Sequence, residues 1–206
     1  MRAQPFDTPR GRANAFVQAA PDARAAIVLG HGAGGSVTAR DLLTVRDSAL
    51  AARISVALVE QPYRVAGRRS PAPAAQLDEA WISVVEQLRA GELRGLSILV
   101  GGRSSGARVA CRTARTTGAA GVLCLAFPLQ PPRRESALSA PASRLVELAS
   151  VGLPTLVVQG VRDPFGMPSA APGREVVEVA GDHRLSSDLP GLAAAVGAWF
   201  ERVLEP

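Results

Sequence analysis

A serine hydroxyl, an imidazole and a carboxylate can together cleave an acyl bond without a metal, and this chain carries one of each directly after an apolar run. The segment Gly102-Arg103-Ser104-Ser105-Gly106 has the form G-x-S-x-G, follows the run LSILV and opens a stretch of helical character. A strand turning into a helix through so tight a corner leaves little space for side chains at the flanking positions. Glycine is therefore needed there, and the strained corner pushes the serine oxygen clear of the backbone, as in a nucleophile elbow. The register is fixed: were Ser105 the nucleophile, glycine would be required at positions 103 and 107, where Arg103 and Ala107 stand.

The pentapeptide alone is weak evidence, because a serine hydroxyl needs a base, and the base needs an acid to orient it. Two histidines exist. His183, in AGDHR, follows the last apolar run and precedes the final helical stretch, so its loop emerges at the carboxyl end of the strands beside Ser104. Asp163, in GVRDPFG, follows the run TLVVQ, which gives the chain order Ser, Asp, His. That order matches an elbow-type enzyme rather than the two protease orders, His-Asp-Ser and Asp-His-Ser. A buried Asp163 carboxylate would accept the Nδ1 proton of His183 and stabilise the imidazolium. Asp182 is the poorer candidate, since an immediate neighbour rarely reaches back to the ring. Singly, Asp163 also reads as a turn former before Pro164, His183 as a polar loop residue and Ser104 as a helix N-cap. Jointly, the three types in this order favour the catalytic reading.

The second histidine, His31, begins HGAGG directly after the run AAIVL. Small residues there let the backbone approach a substrate, so the amides of Ala33 and Ser105 are the expected oxyanion donors, each worth about 3 to 4 kcal/mol in measured cases. The helix starting at Ser105 adds its positive end to the same spot. His31 is expected mainly to hold this loop by hydrogen bonds, with substrate contact as the lesser role.

These residues need a frame that brings strand ends together. Apolar runs at 25–29, 54–59, 96–100, 122–127, 155–159 and 176–179 alternate with segments of helical period, the signature of βαβ units and a mostly parallel sheet buried on both faces. Leu77, Ala80, Trp81, Val84, Val85 and Leu88 form one helical stripe, and 40–53, 105–117, 142–149 and 189–204 read as further helices. An extra edge strand is expected at about 13–18. The fold class is α/β: a doubly wound, mostly parallel sheet of six or seven strands. Asp163 lies 59 positions after Ser104 and His183 20 after Asp163, leaving no room for a cap domain. The cleft should be shallow and open, with Tyr63, Phe127, Leu129, Phe165 and Met167 as candidate walls.

The 206 residues fit one domain, 1–206, and 47% hydrophobic against 20% charged content excludes a disordered chain. No apolar stretch approaches the roughly 20 residues that cross a bilayer, and MRAQPFDTPRGRANAF lacks a signal-peptide core, so a cytoplasmic location and no membrane are expected. Cys111 and Cys124, without metal-ligand spacing, read as reduced core residues. All 23 basic residues are arginine, and the net charge is +5. Clusters such as Arg68 with Arg69, and Arg133 with Arg134, offer positive potential to anions. No nucleic-acid motif or aromatic platform accompanies them, so no nucleic-acid partner is expected and they read as solvated surface.

The segments LGHGAGG, QPYR with GRRSPAP, GGRSSGARVA, LAFPLQPP, PTLVVQGVRDPFG and GDHRL together resemble one α/β-hydrolase subfamily. It groups small bacterial proteins with the testis-expressed and chromatin-complex (histone acetyltransferase) hydrolase-like proteins of animals, and is more broadly similar to dienelactone-hydrolase-like enzymes. The resemblance runs from about Thr8 to the carboxyl terminus. It implies Ser104 as nucleophile, Asp163 as acid, His183 as base, and the HGAG loop with Ser105 as oxyanion donors. Ser105 departs from relatives that often carry Met there, but only its amide is required. Some animal relatives serve in assemblies, so the resemblance leaves room for a protein partner. The expected function is hydrolysis of small carboxylic esters or thioesters through an acyl-enzyme, with no metal or other cofactor required. The alternatives are a binding or scaffold protein that keeps the fold without turnover, and an amide or peptide hydrolase.

Overall fold

The inner strands are apolar along their whole length because helices cover both faces of the sheet they form. A computed structural model describes residues 2–130 and 142–205. Among them eight strands make one sheet: β1 (Gln4–Thr8), β2 (Gly11–Gln18), β3 (Ala25–Gly30), β4 (Ile54–Glu60), β5 (Ser97–Arg103), β6 (Gly121–Leu125), β7 (Thr155–Gly160) and β8 (Arg174–Val179). Their spatial order is β1-β2-β4-β3-β5-β6-β7-β8. The strands from β3 to β8 are parallel, and β2 runs antiparallel to β1 and β4. The helices are α1 (Arg40–Ala51), α2 (Pro62–Val65), α3 (Ala74–Ala90), α4 (Ser105–Thr113), α5 (Leu145–Ala149) and α6 (Leu189–Val203).

Every residue of β3, β6 and β7 is buried, as the continuous apolar runs require. On one face, the α3 stripe from Leu77 to Leu88 packs with Val109 and Ala110 of α4. On the other, Leu42 and Val45 of α1 meet Trp199 and Phe200 of α6. Arg112 of α4 binds Asp78 of α3 at 2.8 Å and Glu147 of α5 at 3.2 Å, tying three helices together. Burial alone would raise the Glu147 pKa, but Arg108 and Arg112 hold it below the usual range. Cys111 and Cys124 are buried and unbridged, with their sulfurs 3.4 Å apart.

The sheet differs from the expected six or seven strands at its first edge. The strand expected at 13–18 is β2, but it is not the edge, because β1 pairs outside it. β1 carries Pro5 and buries only Phe6, so it lacks an apolar pattern. The one-turn helix α2 was likewise not foreseen, α4 ends at Thr113 rather than 117, and α5 begins at Leu145 rather than 142. Arg133 and Arg134 lie outside the described residues.

The chain passes from β3 to β4 on one side and returns to β5 on the other. The carboxyl ends of β3 and β5 therefore flank the crevice where doubly wound sheets hold their ligands.

Candidate active site

The corner between β5 and α4 is held by backbone contact. Gly102 of β5 and Gly106 of α4 both press on Gly30 of β3: a Cβ at Gly102 would stand 2.5 Å from the Gly30 carbonyl oxygen, and a Cβ at Gly106 would collide with the same atom. Between these two glycines, each two positions away, Ser104 sits at φ 52° and ψ −107°. A side-chain-bearing residue reaches this conformation at a cost of about 1–3 kcal/mol. Its amide is tied to the Leu125 carbonyl at 2.8 Å.

Ser104 Oγ lies 2.9 Å from Nε2 of His183, and Nδ1 of His183 lies 2.8 Å from Oδ2 of Asp163. The Asp163 side chain is 1% exposed. Its oxygens accept two further hydrogen bonds, from the Phe165 amide at 2.9 Å and from Gln159 Nε2 at 2.9 Å. With three donors on it, the buried carboxylate is fixed in direction. The Phe165 ring meets the His183 ring edge-on, with centroids 4.5 Å apart. Asp182 turns away: exposed, it accepts from the Arg184 amide at 2.9 Å.

The loop after β3 is pinned on both sides. His31 is buried, its Nδ1 2.7 Å from the Gly32 carbonyl while its Nε2 accepts from the Gln61 amide at 3.1 Å. Only a neutral ring protonated at Nδ1 satisfies both contacts, in keeping with burial lowering its pKa. The Tyr63 hydroxyl donates to the Ala33 carbonyl at 2.6 Å. Burial pushes the Tyr63 pKa up to about 12, so it remains a donor. The loop lies against Ser104, since a Cβ on Gly32 would touch the Ser104 Cβ at 3.6 Å. Among the described residues, the amides of Ala33 and Ser105 donate to no protein acceptor, and Ser105, as the first residue of α4, has no intrahelical partner for its N–H.

Two contributors were not singled out in the sequence. Gln159, fully buried at the end of β7, braces Asp163; a polar residue closing an apolar run was its only signal. Arg103, the variable position before Ser104, donates to the His183 carbonyl at 3.0 Å. Its Nε also lies 3.0 Å from Oδ2 of the buried Asp41 on α1, an ion pair in which the N–H is angled off the oxygen. Burial pushes the Asp41 pKa up, and the Arg103 charge opposes that shift.

The expected walls divide. Phe165 stands on His183, Leu129 approaches Gly166, Met167 is half-buried on the same segment, and Tyr63 lies beneath the Ala33 loop. Phe127 is a correction: it is fully buried in the core, because Ala126 at φ 48° turns the chain and carries the ring inward. Among the described residues, no group of three His, Cys, Asp or Glu side chains is arranged to hold a metal. No helix there is long and apolar enough to cross a membrane.

A mostly parallel sheet with a serine at its strained central corner defines the α/β-hydrolase architecture. The chain belongs to the alpha/beta hydrolase domain family, which matches residues 23–186. Its fold is similar to XC6422 of Xanthomonas campestris, an α/β serine hydrolase without a lid, with 19% identity over 98% of this chain and 94% of that one and a TM-score of 0.76. It is similar to Est1E of Butyrivibrio proteoclasticus, with 14% identity over 98% and 99% and a TM-score of 0.76. It is also similar to a dienelactone hydrolase of Anabaena variabilis, with 14% identity over 98% and 96% and a TM-score of 0.71. Comparison with curated protein sequences finds no match. Among the described residues there is no separate cap domain, as in the lidless neighbour.

Proposed function

We propose that the protein is a serine hydrolase of carboxylic esters or thioesters, of the carboxylesterase type, acting through Ser104, His183 and Asp163. What carries the reading is the unbroken hydrogen-bonded chain from Ser104 Oγ through the His183 ring to the buried Asp163. His183 Nε2 takes the Ser104 proton as Oγ attacks the carbonyl carbon, and the imidazolium is stabilised by Asp163. The Ala33 and Ser105 amides receive the negative charge that develops on the carbonyl oxygen. His183 returns the proton to the departing alkoxide or thiolate, leaving an acyl group on Ser104. Water then attacks that acyl-enzyme, losing a proton to His183, and releases the acid and the free serine. The whole chain, 1–206, is read as one hydrolase domain. Within the family, the sequence motifs favour the small bacterial proteins related to the testis-expressed hydrolase-like group, and a cytoplasmic setting.

The test is hydrolysis of a p-nitrophenyl ester series by the protein and by Ser104→Ala at equal concentration. Turnover should fall by about 10⁶-fold in the variant. Equal rates in both proteins, or none in either, would overturn the reading.

A further inference from the structure

Arg103 stands at the end of β5, one residue before Ser104, and each nitrogen of its guanidinium meets a different segment. Its Nη2 donates to the His183 carbonyl at 3.0 Å, and among the described residues no other protein group donates to that oxygen. Its Nε lies 3.0 Å from Oδ2 of Asp41, in the first turn of α1. Its Nη1 packs on the loop after β3, where a Cβ on Gly32 would stand 2.7 Å from it. Glycine at position 32 thus leaves the space that the guanidinium fills.

The Asp41 side chain is 1% exposed and that of Arg103 16%. Among the described residues, Arg103 is the one cation paired with Asp41, whose Oδ1 accepts from the Leu42 amide at 2.9 Å. An ion pair withdrawn this far from water adds little net stability, because lost hydration offsets the attraction. What it does supply is direction. A guanidinium is planar, with its N–H groups in a fixed fork, so a carboxylate held against Nε also fixes where Nη2 points. The His183 ring is tied to Ser104 and Asp163, but its backbone lies in the loop between β8 and α6, and the ring moves with that backbone.

We infer that Arg103, anchored by Asp41, is a positioning residue for the Ser104 reaction: it sets the His183 backbone and the Gly32 loop relative to the serine, so that base and oxyanion donors are in place before an ester arrives. Only the kinetic part of the inference rests on the serine esterase reading. Arg103 makes no hydrogen bond to Ser104 Oγ or to the His183 ring. Its removal should therefore slow the chemistry and leave substrate binding as it was.

The experiment measures kcat and KM for p-nitrophenyl butyrate in the protein, in Arg103→Gln, in Arg103→Lys and in Asp41→Asn/Arg103→Gln. Misplacing a reacting group by about 1 Å costs about 10²-fold in rate, so kcat should fall by that factor in Arg103→Gln while KM stays within about twofold. Arg103→Lys keeps the charge beside Asp41 without the fork and should recover only part of the loss. The double variant removes both buried charges, so its melting temperature should return toward that of the parent while kcat stays as low as in Arg103→Gln. It also carries the same test if Arg103→Gln, with Asp41 left unpaired, does not fold. In parallel, the low-field proton NMR signal of His183 Nδ1–H, hydrogen-bonded to Asp163, reports the ring without any substrate, and it should shift or broaden in both Gln variants. Recovery of kcat together with the melting temperature, a kcat in Arg103→Gln within about threefold of the parent, or an unchanged His183 signal overturns the inference and leaves the hydrolase reading standing. A disturbed His183 signal in a protein that turns over no ester keeps the positioning role and removes the hydrolase reading.

Discussion

The Ser104 corner and the His183 loop meet at one point, 2.9 Å apart, yet they are held there by different physics. The corner is held by exclusion: Gly102 and Gly106 press so closely on the Gly30 backbone that no Cβ fits at either, and the backbone of Ser104 has nowhere else to go. The His183 loop is held by polar partners at chosen distances, with Asp163 on the ring, Arg103 on the carbonyl, and Gln159 behind Asp163. Damage to the first should register as lost stability. Damage to the second should register as lost activity in a protein that still folds.

The sharpest way to separate the two is Asp163→Asn, which keeps the shape but places an amide among groups that need an acceptor. A fall in kcat of about 10⁴-fold is expected, since the His183 tautomer is no longer fixed. The melting temperature should drop by only a few degrees. A collapse of the fold by circular dichroism would show that the two regions are not separable. Next, Gly106→Ala forces a methyl group onto the Gly30 carbonyl, and the overpacking should lower unfolding free energy by about 3 kcal/mol in a urea titration. An unchanged midpoint would mean that the corner relaxes cheaply and that exclusion is not what holds Ser104.

The smallest effect concerns the loop of His31. Its folded pKa lies below its ordinary value of 6.5, so the unfolded chain binds the proton first as pH falls. The stabilisation from the neutral buried ring is complete above pH 6.5 and is lost as pH drops below that value toward the folded pKa. The slope is at most about 1.4 kcal/mol per pH unit. Unfolding measured between pH 7.5 and 5.5 should show this slope in the protein and a shallower one in His31→Gln. Identical slopes would mean that the ring is not held neutral by the fold.

Much of the site was legible because its chemistry is written locally. Ser104, Asp163 and His183 each follow an apolar run, and the runs at 25–29 and 155–159 fall within β3 and β7. The glycines at 102 and 106 announce a corner that only a strand-to-helix turn needs. What escaped was set by contacts between distant segments. Asp41 meets Arg103 across two helix-strand connections, a pairing that no local spacing encodes. Phe127 looked like a wall because it follows β6, but the positive φ of Ala126 reverses its direction, and nothing in the identity of an alanine foretells that. β1 was invisible because an edge strand paired on one side needs neither an apolar run nor strict alternation.

The contact among Gly30, Gly102 and Gly106 also bears on how this chain can change over generations. Any single-base change in a glycine codon that alters the residue introduces at least a Cβ or ends the chain. At Gly102 and Gly106, where a Cβ would collide with the Gly30 backbone, no conservative step therefore lies one mutation away. A lineage can exchange side chains elsewhere around the site and test new substrates, while the corner that presents Ser104 stays where it was first built.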